Sequence, residues 1–133
     1  MKSLKFVVLG LVLGSTASMA QDCVAPTAPQ IPEGEKSSLE QMLAAQKAVK
    51  EFQAANLAYM SCLEPSVTAA EAAAKDAAAK VAEKAAGAED AAKAANAGLL
   101  KAQETYNAAV SMEEEVAGKF NTEIRDYKTA NPG

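Results

Sequence analysis

The chain contains no histidine and no tryptophan, and only two cysteines among its 133 residues. Without histidine the commonest general acid–base and the commonest imidazole metal ligand are both missing. No Gly-rich phosphate loop, nucleophile elbow or Cys-x-x-Cys pair occurs. The residues therefore point to no catalytic group, no cofactor and no metal site, and a non-enzymatic protein is the expectation. Long apolar runs are scarce too. The longest, Phe6 to Gly14, has nine residues, whereas a bilayer-spanning helix needs about 20.

That short run is better read as part of a targeting segment. Lys2 and Lys5 precede it, Ser15 to Ala20 are small residues, and Ser18 and Ala20 occupy the −3 and −1 positions of a cleavage site. The expectation is a signal peptide at 1–20, a mature N-terminus at Gln21, export to the periplasm, and no stable membrane anchor. Ala20-Gln21-Asp22 before Cys23 is not the small, apolar approach of a lipidation site. Removing 1–20 leaves 11 basic against 17 acidic groups, net −6. So acidic a chain has no electrostatic reason to bind nucleic acid or anionic lipid.

In an oxidising compartment an isolated pair such as Cys23 and Cys62 reads as one structural disulfide. Around Cys23, residues 21–36 carry Pro26, Pro29 and Pro32, a spacing that excludes helix and favours an extended, polyproline-like arm. Residues 24–36 reach roughly 40 Å at about 3.1 Å each. A helix from Leu39 to Cys62 rises about 36 Å at 1.5 Å per residue. The lengths match, so the arm is expected to run back along that helix, with Val24 and Ile31 as its apolar contacts.

Residues 37–133 form a single helical domain in this reading. Ser37 with Glu40, or Ser38 with Gln41, makes a capping box. Met42, Ala45, Val49, Phe52, Asn56, Tyr59 and Leu63 then repeat at 3-4 spacing and share one face, with Asn56 its only polar member. Pro65 is expected to end this helix, and Thr68 with Glu71 to cap the next. The Ala-rich middle, 69–97, keeps its charges off a stripe: Ala70, Ala74, Ala77, Val81, Ala85, Ala88, Ala92, Ala95, Leu99. Such a smooth face admits a close neighbour. The last piece has its own seam of Tyr106, Val110, Glu113, Ala117, Phe120, Ile124 and Tyr127, widened by Ala109, Met112 and Val116. It stays in phase with the Ala stripe through Gly98, so one helix or two satisfy the pattern. Glu113-Glu114-Glu115 point in different directions on a helix and read as a solvated face rather than a cation site.

The fold expected is all-α: an extended arm and a three-helix antiparallel bundle, with helices near 38–63, 69–97 and 99–129. The competing arrangement is a long helical hairpin turning near Gly87 and kinked at Pro65. Two function classes fit. One is a scaffold or chaperone-like interaction protein that meets a partner, or itself, through its helical seam. The other is a passive structural or stress-protective Ala-rich helix.

Both ends of the mature chain carry a pattern. Cys23-x-x-Pro26-x-x-Pro29-x-Ile31-Pro32-x-Gly34, then Met42-x-x-Ala45-Gln46-x-x-Val49-Lys50 and Tyr59-x-x-Cys62-Leu63, resembles a group of small periplasmic proteins of Gram-negative bacteria. Tyr106-Asn107-Ala108-Ala109-Val110, Glu113-Glu114 and Phe120-Asn121 through Tyr127-Lys128 are similar to the C-terminal helix of that group. The resemblance covers about half of the chain, leaves out the Ala-rich middle and implies no activity.

Overall fold

The computed structural model describes residues 22–133. The expected signal peptide and the cleavage point before Gln21 lie outside the described residues. Among those described there is no strand: a 3-10 turn, Gly34–Lys36, is followed by two long helices, α1 (Leu39–Ala82) and α2 (Ala88–Ala130). They pack side by side as an antiparallel hairpin.

Of the two overlapping capping boxes, the second forms. The Ser38 hydroxyl accepts from the Gln41 backbone N–H at 3.2 Å, and the Ser38 N–H donates to the Gln41 side chain at 2.8 Å. Ser37 instead donates to the Glu33 carbonyl at 2.6 Å and closes the 3-10 turn.

The three-helix bundle is not what the chain builds. α1 runs through Pro65 and Thr68 to Ala82, so Pro65 ends nothing and the Thr68–Glu71 box is unused. A mid-helix proline costs about 3 kcal/mol through its missing N–H and its ring. Here Pro65 is exposed, as is Ser61, whose carbonyl loses its donor, so water can serve it. Alanine has the best helix propensity, and the Ala run beyond Pro65 favours continuation. α2 likewise runs unbroken through Gly98.

The break falls inside the supposed middle helix. Lys84 has φ 56° and Gly87 has φ 72°, both left-handed. The Ala85 N–H donates to the Lys80 carbonyl at 3.1 Å and the Lys84 N–H to the Val81 carbonyl at 2.9 Å. Those two bonds make a Schellman motif with Lys84 in the position usually given to glycine. The turn folds the Ala stripe onto itself: Ala70, Ala74, Ala77 and Val81 on α1 and Ala88, Ala92, Ala95 and Leu99 on α2 are buried or half-buried, and only Ala85, in the turn, is exposed. Lys84→Gly should therefore raise stability by about 1 kcal/mol, because the left-handed conformation penalises any residue with a Cβ. Urea denaturation of the two proteins checks this.

The core lies in the half of the hairpin away from the turn. Met42, Ala45, Val49 and Phe52 of α1 meet Val116 and Phe120 of α2, with Ile31, Met112, Ile124 and Tyr127 packed around them. The segment before α1 has no helix or strand over 22–33, and a disulfide joins Cys23 to Cys62. Its other end is held on α2, where the Gly34 N–H donates to Glu123 Oε2 at 2.7 Å. Cys62 lies midway along α1 and Glu123 near the C-terminus of α2, so the segment runs antiparallel to α1. Cys23, Pro26, Pro29 and Pro32 are each half-buried, as is Ile31. Ile31 reaches the core as expected; Val24, 82 % exposed, does not.

Candidate functional site

The seam residues divide into two groups. Met42, Val49, Phe52 and Phe120 are buried between the helices, and Ile124 and Tyr127 pack on them. This part of the seam serves the protein's own fold. Tyr59, Leu63, Tyr106 and Val110 are half-buried, and Leu63 and Val110 line open grooves.

At the middle of the seam sits Asn56, with no exposed surface. Its Nδ2 donates to the Ala109 carbonyl at 2.9 Å and to Glu113 Oε2 at 3.1 Å, while Oδ1 has no partner. Within the triple-glutamate run Glu113 turns to Asn56 and, with Glu114, lines a groove, while Glu115 is exposed. A buried acceptor without a donor costs about 1–3 kcal/mol. Asn56→Leu should accordingly raise stability by about 1–2 kcal/mol. It should also relax specificity, since a polar residue in an apolar seam penalises alternative pairings. Denaturation read together with light scattering checks both effects. Gains in stability should come with mixed association states.

Two grooves open on the side of the hairpin away from the N-terminal segment. One, about 410 Å³, is lined by Gln53, Met60, Val110, Glu113, Glu114 and Ala117. The other, about 210 Å³, lies between Leu39, Met42, Leu43 and Gln46 of α1 and Phe120, Ile124, Tyr127 and Lys128 of α2. Met60 is two residues, or 200° of helix, from the disulfide-bonded Cys62, which places these grooves opposite the segment. Leu39, Leu43 and Leu57 on the same sector of α1 are 58 %, 56 % and 63 % exposed. This second row, Leu39-Leu43-Gln46-Lys50-Gln53-Leu57-Met60, has the same 3-4 spacing as the core row. Gln46, Lys50 and Gln53, three of its seven members, mask it in the sequence.

The charged groups make surface pairs. Arg125 Nε lies 3.7 Å from Asp126 Oδ1. At the foot of the N-terminal segment the Lys36 ammonium bonds to Glu33 and holds that carboxyl below its ordinary value. Among the described residues no three of Cys, Asp or Glu stand together as metal ligands, and no helix is long and apolar enough to cross a membrane. Compared with protein-family models, with curated proteins and with solved structures, the chain matches none.

Proposed function

We propose that this protein is an exported, non-enzymatic interaction protein of the bacterial envelope, a scaffold or chaperone-like factor that meets a protein partner through the leucine face of its hairpin. The observation that supports this reading is the row Leu39, Leu43 and Leu57, each more than half exposed on the side of α1 where two grooves open, one mainly apolar and one of mixed lining. Isolated exposed leucines are ordinary on a surface, but an aligned row flanking grooves marks an interaction face. A passive spacer gains nothing from leucines there, and polar residues would keep it more soluble. The sequence features that support export are the 1–20 segment, with cleavage before Gln21, and the resemblance to small periplasmic proteins. A disulfide between Cys23 and Cys62 suits that compartment.

The test places a photo-crosslinking amino acid at position 43 or 57 in the native host, with exposed position 104 as the control. Discrete adducts from 43 and 57 but not 104 are expected, and light scattering of the purified protein separates a partner from self-association. Equal adduct patterns at all three positions, or none at 43 and 57, would refute the leucine face as the working surface.

A further inference from the structure

Among the described residues, the N-terminal segment fills only part of the groove it occupies. Cys62, Ser66, Ala70 and Ala73 follow each other at helical spacing on α1, so the wall to which Cys23 is bonded continues toward the turn. On α2, Met112, Thr105 and Gly98 continue the wall at seven-residue steps beyond the core-facing residues near Ile31. Beyond Cys23 these walls enclose an open groove of about 410 Å³, lined mainly by small and apolar residues with Lys101 the charged member. We propose that this stretch binds an extended, proline-containing peptide segment of a partner protein, with an acidic residue directed to Lys101.

Continuity with the protein's own segment argues for this occupant. That segment shows what the groove accepts: a chain with no helix or strand in which Cys23, Pro26, Pro29, Ile31 and Pro32 are half-buried. Apart from Ile31, which packs on the core, this burial follows the three-residue period of a polyproline II path. The stretch left open by the described residues has the same two helices as walls and is floored by Ala70, Ala73, Ala95 and Ala102. From Leu63 to Ala73 it runs about 15 Å at 1.5 Å per residue, room for about five residues of such a path at 3.1 Å each. Preformed polyproline-type ligands lose little entropy on docking, which suits a shallow groove.

This site is on a different face from the leucine row, so it extends the interaction reading and can fail without it. The test titrates the oxidised, isotope-labelled mature protein with a ten-residue peptide that has proline at every third position and one aspartate. A control peptide has alanine for each proline. Saturable amide shifts confined to Ala70, Ala73, Gly98, Lys101 and Ala102 are expected, with the control at least ~10-fold weaker. Gly98→Leu, or Ala73→Leu should the first variant fail to fold, should weaken binding by ~10-fold or more, and Leu57→Lys should leave it unchanged. Absence of shifts, equal binding of the alanine peptide, shifts centred on Leu39 to Leu57, or concentration-dependent shifts without peptide (a second copy in the groove) would each overturn the proposal.

Discussion

Serine at both Cys23 and Cys62 should lower the melting temperature by roughly 15–25 °C while the two helices persist at low temperature. The disulfide closes a loop with a sequence separation of 39. In the chain-entropy model such a loop removes about 4 kcal/mol of freedom from the unfolded state. A domain of this size has about 5–15 kcal/mol in all, and each kcal/mol moves the midpoint by about 4–8 °C. The helices do not need the bridge to form, because their caps, alanine content and mutual core are separate from it. The segment over 22–33 does need it. Beyond its half-buried prolines, Ile31 is its one contact with the core cluster. Full burial of such a side chain is worth about 1.5–3 kcal/mol, too little to order a dozen residues. Thermal melts followed by circular dichroism, with and without reductant, check the size of the effect. An unchanged melt would show that the segment contributes nothing to the fold.

Gly34→Ala should have the second large effect, about 2–4 kcal/mol of destabilisation. A Cβ at this buried glycine would lie 1.9 Å from the Glu123 carbonyl oxygen and 2.8 Å from the Tyr127 nitrogen. Both are backbone atoms inside α2 and cannot rotate away. The foot of the segment must lift instead, breaking the 2.7 Å bond from the Gly34 N–H to Glu123 and withdrawing Ile31 from the core. If the segment is one strap fixed at two ends, the cysteine and glycine substitutions act on the same element. Their costs should then fall short of adding, because a strap already released at Cys23 has less to lose at Gly34. Denaturant unfolding of the two variants and their combination measures that coupling.

Several of these features are legible in the sequence. The Met42-to-Phe52 row is the core face of α1, and the Cys23–Cys62 bond forms. Each rests on spacing, which helical geometry translates directly into position. What misled was local punctuation overridden by pairing. Pro65 and the Thr68–Glu71 box are strong boundary signals in isolation. In place, the proline lies on the solvent side and both flanking stretches pair with α2, so continuing the helix wins. The reversal falls next to Gly87, where the competing hairpin put it, although the Schellman position itself is taken by Lys84 rather than by glycine. Gly34's contact with Glu123 joins residues 89 apart and leaves no periodic trace. The leucine row was hidden by Gln46, Lys50 and Gln53 among its members.

The central claim is a two-helix hairpin in register at Asn56, with a strap locked across it at Cys62 and Glu123. Nitrogen-edited nuclear Overhauser spectra of the mature protein, recorded oxidised and then reduced, test it in one measurement. Contacts from the Asn56 side-chain amide to Ala109 are expected in both states. Contacts from the Gly34 N–H to Glu123 and Tyr127 are expected to be strong when oxidised and weakened on reduction. Absence of the Asn56–Ala109 contacts, or Gly34 contacts indifferent to reductant, would contradict it.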